Sequence, residues 1–192
     1  YAADRGTAIF RLDDHVRRFF ESAHTLQMAL PFTPEQIAAA HAEVVRANGL
    51  TQCYLRPIAF YGGERVGAAA RGNRVHVAIA AWPWDAYLGA QAHERGIRVK
   101  ISSFSRIHHG SLLTKAKACG HYINSMLAHQ EAVQSGYGEA LMLDPSGYVA
   151  EASTSNLFML RHGEFVTPPR TAILEGITRD TVIRLSEVAG VP

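Results

Sequence analysis

The stretch that decides the fold is "SLLTKAKACGHYINSMLAHQEAVQSGYGEALMLD", Ser111 to Asp144. Its two lysines, Lys115 and Lys117, stand just ahead of a helical pattern. The chain holds 19 Lys and Arg, and only Lys100, Lys115 and Lys117 are lysine. From Cys119 onward, apolar residues recur at Cys119, Tyr122, Ile123, Met126 and Leu127, which predicts a helix with that stripe against a core. A helix N-terminus favours anions, so a cation there is not placed for helix stability. Arginine stays charged at any useful pH, whereas a desolvated lysine can lose its proton and attack a carbonyl to form a Schiff base. Two readings stand at this point: solvated lysines near a helix start, or one reactive amine.

The segment downstream adds parts. "EALMLDPSGYVAEAS" predicts a hairpin turning at Asp144-Pro145-Ser146-Gly147, and it carries Glu151 mid-strand, followed by small hydroxyl residues. That carboxylate is either a solvent-facing strand residue or the ion-pair partner in a site. "NLFMLRHGEFVTP" predicts a second hairpin, turning at His162-Gly163. "EGITRDTVIRLSEVAG" predicts a helix starting near Ile177. Its opening Gly176-Ile177-Thr178 offers backbone N–H groups, a helix dipole and a hydroxyl, which together can cradle an anion. A Schiff-base lysine, an acidic partner for a pyridine nitrogen and a phosphate cup are the requirements of pyridoxal phosphate. One cation would help hold the phosphate, and Arg18 is a candidate.

Ahead of the quoted stretch, "LDDHVRRFFESAHTLQMAL" predicts a helix with Asp13 or Asp14 as N-cap. "FTPEQIAAAHAEVVRANG" predicts another: Thr33 as N-cap, Pro34 at the first helical position, Gln36 completing a capping box, and Asn48-Gly49 as the end. Strands are predicted in "QCYLRPIAFYG", where Pro57 implies an edge or bulge, in "RVHVAIAAW" and in "GIRVKISSF". "PWDAYLGAQAHE", rich in aromatics with Pro and Gly, reads as a connector. The expected organisation is a small N-terminal α/β domain over 1–82, an interdomain loop over 83–94 and a larger cofactor-binding domain over 95–192.

Bulk composition excludes several classes. The 192 residues are 47% hydrophobic and 19% charged, as in ordinary globular proteins. With a net charge of +2 and scattered arginines, there is no basic stripe for nucleic acid. No apolar run approaches the ~18 residues of a membrane span. Cys53 and Cys119, with no CxxC, suggest neither a disulfide scaffold nor a zinc site, and reduced thiols in a cytoplasmic protein are expected. The ten histidines lack HExxH spacing, so no metal is expected, and the adjacent His108 and His109 are expected to point different ways in a loop.

Taken together, "AKACGHYINSMLAHQEA", "GYVAEASTSNLF" and "EGITRD" closely resemble the fold-type IV pyridoxal-phosphate enzymes, and "YLRPIAF" and "WPWDAYLGA" narrow the resemblance to branched-chain amino acid aminotransferases. It implies an α/β (α+β), two-domain, D-amino acid aminotransferase-like fold, with both domains incomplete in a chain truncated at each end. It implies that Lys117, not Lys115, holds the cofactor, that Tyr122 meets its 3′-oxygen and that Glu151 faces its ring nitrogen. Arg18, Ile177 and Thr178 correspond to phosphate-binding positions. Tyr54 and Arg56 correspond to residues recognising the acidic side chain of glutamate or 2-oxoglutarate, and Trp84 and Tyr87 to the loop closing over substrate. Cys119 and His121 fall at variable positions of the motif and are given no chemistry. The expected substrates are leucine, isoleucine, valine and their 2-oxo acids, handled by a cytoplasmic homodimer or larger assembly. The alternatives are a D-amino acid transaminase, an aminodeoxychorismate lyase, or an inactive fragment serving as an assembly partner.

Overall fold

The computed structural model describes residues 2–3, 6–67, 72–84 and 92–191. The chain divides into two compact units, Tyr1–Tyr87 and Leu88–Pro192.

In the first unit, β1 (Ala2–Ala3) pairs antiparallel with β2 (Gly6–Thr7). Helix α1 spans Leu12–Thr25, but its N-cap is neither Asp13 nor Asp14. Arg11 takes that place, in the left-handed region at φ 48° and ψ 44°, with no side-chain cap. The two aspartates sit inside the first turn, where the helix dipole favours them. There Asp14 is drawn into pairs with Arg11 Nε (2.6 Å) and Arg17 Nη2 (2.5 Å). Helix α2 (Pro34–Ala47) forms as its sequence demands. Thr33 Oγ1 accepts from the Gln36 N–H at 3.3 Å, Gln36 Oε1 accepts from the Thr33 N–H at 2.8 Å, and Asn48 is the C-cap. Strands β3 (Tyr54–Tyr61) and β4 (Val75–Trp82) pair antiparallel from Tyr54 opposite Trp82 to Tyr61 opposite Val75. This sheet has two strands among the described residues, so Pro57, opposite Ile79, lies on an edge as a residue without an N–H must.

The second unit opens with α3 (Ala92–Arg95) and β5 (Val99–Ile101). The strand predicted over 96–104 is thus only three residues long. Beyond it the chain still follows its neighbour through two isolated bonds, Ser102 N–H to the Leu141 carbonyl (2.9 Å) and Arg106 N–H to the Leu143 carbonyl (2.7 Å). Helix α4 spans Tyr122–Gln134 behind a 3₁₀ turn at Cys119–His121. Then β6 (Glu139–Leu143) and β7 (Val149–Ala152) form the first predicted hairpin, giving a three-stranded sheet in the order β5-β6-β7, parallel then antiparallel. Asp144 Oδ1 accepts from the N–H groups of Ser146 (2.9 Å) and Tyr148 (3.0 Å), and Gly147 takes φ 86°, which a side chain would resist. Strands β8 (Met159–Arg161) and β9 (Glu164–Val166) form the second hairpin about His162-Gly163. Helix α5 (Ile177–Val188) starts at Ile177 as predicted.

Which face of α4 is buried corrects the sequence reading. Ser125, Ala128 and Ala132 are buried, and Ala128 and Ala132 form a closed cluster with Ala140 and Met142 of β6. Ile123, Met126 and Leu127, read as the core stripe, are 64%, 59% and 43% exposed. Small side chains let the helix backbone lie close to the sheet, and that contact, not the size of the apolar residues, sets its rotation. A second correction concerns His108 and His109, whose rings stack with centroids 4.3 Å apart instead of diverging.

Candidate active site

The elements of the second unit converge on a pocket lined by Lys117, Tyr122 and Glu151, together with Arg106, His121, Ser153, Thr154 and Leu174. Lys117 precedes the 3₁₀ turn and Tyr122 opens α4, so the five-residue spacing folds back and lets Lys117 Nζ donate to the Tyr122 hydroxyl at 2.5 Å. Lys117 is exposed overall, so water reaches it beside the pocket.

Lys115 turns elsewhere. Its ammonium donates to the Arg170 carbonyl and to Glu175 Oε1 (2.8 Å), tying the lysine loop to the segment that leads into α5. Lys100 donates to Glu131 Oε1 of α4 and to Oγ of its C-cap Ser135, both at 3.0 Å. The three lysines therefore do three jobs: Lys100 ties a strand to a helix, Lys115 ties a loop to a segment, and Lys117 faces a phenol at the pocket.

Glu151 is 6% exposed, which removes the solvent-facing reading. Its Oε1 accepts from Arg106 Nε at 2.6 Å and its Oε2 from Asn156 Nδ2 at 3.0 Å. Burial pushes its carboxyl above the ordinary carboxylate range, opposed by the Arg106 charge, by the Arg106 hydrogen bond and, at the weak end, by Lys115. Asn156 Nδ2 also donates to the Leu174 carbonyl at 3.0 Å, so one amide joins Glu151 to the approach of α5. Gly176, the N-cap of α5, leaves room for it. A Cβ there would lie 2.1 Å from Asn156 Oδ1. Among the described residues no side chain caps α5; Ile177 is buried and Thr178 exposed at its start.

Arg106, Asn156 and His121 were not singled out from the sequence. Arg106 carried no motif around it. Asn156 sits inside "GYVAEASTSNLF", where nothing local sets it apart. His121, given no chemistry above, is 6% exposed and lines the pocket. Burial, and secondarily the Arg106 charge, lower its basicity and favour the neutral ring, opposed by a hydrogen bond with the Ala116 backbone.

The remaining expected site residues belong to the first unit. Arg18 is half-buried on α1, and its carbonyl accepts from Ser22 Oγ at 2.7 Å. Tyr54 packs its ring 5.2 Å from Trp82 and 5.1 Å from Trp84. The Arg56 guanidinium lies 5.5 Å from the Tyr54 centroid and 5.6 Å from that of Trp82, a cation held against aromatic rings. Tyr87 lies outside the described residues, as do residues 85–91 of the expected interdomain loop. Among the described residues no group of three or more His, Cys, Asp or Glu could hold a metal ion, and no helix is long and apolar enough to cross a membrane.

Comparison with known proteins matches residues 3–192 to the family described as amino-transferase class IV. The branched-chain-amino-acid aminotransferase of Pseudomonas aeruginosa is 50% identical over 190 residues, covering 99% of this chain and 62% of that protein. That of Escherichia coli is 38% identical over 193 residues, covering 100% of this chain and 62% of its own length. Among solved structures, a T.th. branched-chain amino acid aminotransferase with pyridoxamine 5′-phosphate superposes with a TM-score of 0.95 at 46% identity, covering 100% of this chain and 63% of that one. The Escherichia coli enzyme superposes with a TM-score of 0.95 at 38% identity, covering 100% and 64%. The chain thus spans a little over three fifths of the length of these relatives.

Proposed function

This chain belongs to the class IV amino-transferase family and has its fold-type IV architecture, and from that premise we propose that it transfers the amino group of leucine, isoleucine or valine to 2-oxoglutarate with pyridoxal 5′-phosphate as cofactor. The observation that carries the reading is the meeting of Lys117, Tyr122 and Glu151 on one pocket, with the Lys117 amine 2.5 Å from a phenol and Glu151 clamped by two donors. The relatives point the same way, since one structure of the T.th. enzyme holds N-(5′-phosphopyridoxyl)-L-glutamate. The residues fit the group. Arg106 Nη1 and Ser153 Oγ, both on pocket-lining residues, are buried polar atoms lacking a hydrogen-bond partner among the described residues, and a polar ligand would meet that need.

Bound there, pyridoxal phosphate supplies a carbonyl for the amine and an electron-accepting ring. Lys117 would hold the cofactor covalently and, once the substrate's own amine has displaced it, its freed amine would move the proton at the substrate's α-carbon, a short transfer because the side chain stays at the pocket. Tyr122 orients that amine through its hydroxyl. Glu151 holds a proton on the ring nitrogen, which keeps the ring electron-poor. The Ile177-Thr178 helix start would take the phosphate, where dipole and hydroxyl suit an anion, and by resemblance Arg18 corresponds to a phosphate-binding position. By resemblance, Tyr54 and Arg56 correspond to residues that receive the acidic side chain of glutamate or 2-oxoglutarate, and Trp84 and Tyr87 to the loop that covers the substrate. The working form is a cytoplasmic homodimer or larger homo-oligomer.

The test incubates the protein and pyridoxal phosphate with L-leucine and 2-oxoglutarate, and separately with D-alanine. Formation of L-glutamate and 4-methyl-2-oxopentanoate supports the reading. Turnover of D-alanine without L-leucine would favour the D-amino acid transaminase, and a protein that takes up no cofactor would favour a non-catalytic assembly partner.

A further inference from the structure

Arg106 comes from the loop after β5, and no expected role in the site falls on it. It is nevertheless 7% exposed, lines the pocket and reaches Glu151 at 2.6 Å. Its backbone is pinned to β6 by its bond to the Leu143 carbonyl, while Glu151 sits on β7, opposite Met142. The donor, tied through its backbone to the end of β6, and the acceptor, on the neighbouring β7, are thus held against one sheet, which fixes their separation.

The chemistry of the surroundings selects one protonation state of Glu151. A protonated carboxyl must donate its O–H to something. Arg106 has no acceptor atom, and Asn156 presents its Nδ2 donor to the other oxygen. Both neighbours reward the carboxylate and neither accepts from the acid. The charged groups acting on Glu151 are Arg106 and, more weakly, Lys115; His121, also facing the pocket, is held toward neutrality. Each carboxylate oxygen keeps a lone pair beyond the bond it already accepts, and the partner it would gain is another donor.

We propose that Arg106 is a positioning residue: by fixing Glu151 as a carboxylate with both oxygens already oriented, it keeps the proton on the ring nitrogen of bound pyridoxal phosphate. The inference rests on the proposed function. Without the guanidinium, the buried carboxylate gains proton affinity, the shared proton moves from the ring nitrogen toward Glu151, and the ring becomes a weaker electron acceptor. Arg106 touches no reacting atom in this scheme and acts through Glu151.

The test has two readouts that do not depend on turnover. In the cofactor-free protein, the Glu151 side-chain carbon is titrated by NMR in the wild type, Arg106→Gln and Arg106→Lys. In the protein loaded with ring-¹⁵N pyridoxal phosphate, the nitrogen shift reports whether the ring is protonated. Expected are a protonated ring in the wild type, a shift toward the unprotonated position in Arg106→Gln, and a Glu151 midpoint in that variant higher by about 1 to 3 pH units. Arg106→Lys keeps a cation, so its ring stays protonated and its midpoint stays within about one pH unit of the wild type. That variant decides the matter if Arg106→Gln does not fold. An unprotonated wild-type ring would overturn the proposal. So would wild-type signals in Arg106→Gln, or a Lys variant with an unprotonated ring, because a packing role alone moves neither readout. A wild type that takes up no cofactor removes the function reading and this inference together; a loaded wild type with an indifferent Arg106→Gln removes only the inference.

Discussion

Arg106–Glu151 and Lys115–Glu175 are two ion pairs of the second unit, 2.6 and 2.8 Å long. The side chains of the first are 7% and 8% exposed, those of the second 46% and 47%. Contact length cannot separate them, but burial does. In the interior a charge without its partner is left in a medium that solvates it poorly, whereas at the surface water replaces the lost partner. The buried pair fixes where the pocket carboxylate sits. The exposed pair fastens two segments with a contact that salt can screen.

The largest way to break this contrast is Glu151→Ala. It strands a buried guanidinium and should cost about 3–5 kcal/mol of folding stability by urea denaturation. A loss below about 1 kcal/mol would place the pair among surface contacts. Next comes Gly176→Ala. Its Cβ would sit 2.1 Å from Asn156 Oδ1, so the amide that braces Glu151 must shift, at about 1–3 kcal/mol. Asn156→Ala in the same background should recover part of that loss, a coupling that two independent sites would not show. The smallest effect is expected from Glu175→Ala, below about 1 kcal/mol and fading further in 1 M salt, where screening reaches down to ~3 Å.

Glu131 offers a pH version of the comparison. Ser102, Lys100 and the Ser103 N–H hold its carboxyl at about 2, down from 4.5. A depressed carboxyl favours folding above its unfolded value, and that contribution drains away as pH falls from 4.5 toward about 2. An acid titration of stability should therefore lose less between these limits in Glu131→Gln than in the wild type. Equal slopes would show that the Ser102 and Lys100 contacts do not persist in solution.

Legibility from sequence followed the range of the physics involved. Helix α2, both hairpin turns and the start of α5 are written in adjacent residues, since caps and turns are settled within four positions. The N-cap of α1 escaped because Asp14 found two arginines within three residues and served the first turn instead. The exposed stripe of α4 escaped for a tertiary reason: Ala128 and Ala132 meet Ala140 and Met142, a choice of face that periodicity in one helix cannot make. At the site, Lys117, Tyr122 and Glu151 were readable because motif spacing carries them. Arg106 lies 45 residues from Glu151, and only the sheet brings them together.

The most direct measurement is to load the protein with pyridoxal phosphate, trap the covalent link with borohydride and map the tagged peptide. The tag is expected on Lys117, with Lys117→Ala unlabelled and Lys115→Ala labelled as in the wild type. A tag on Lys115, or a protein that remains untagged, would contradict the assignment of Lys117 as the reactive amine.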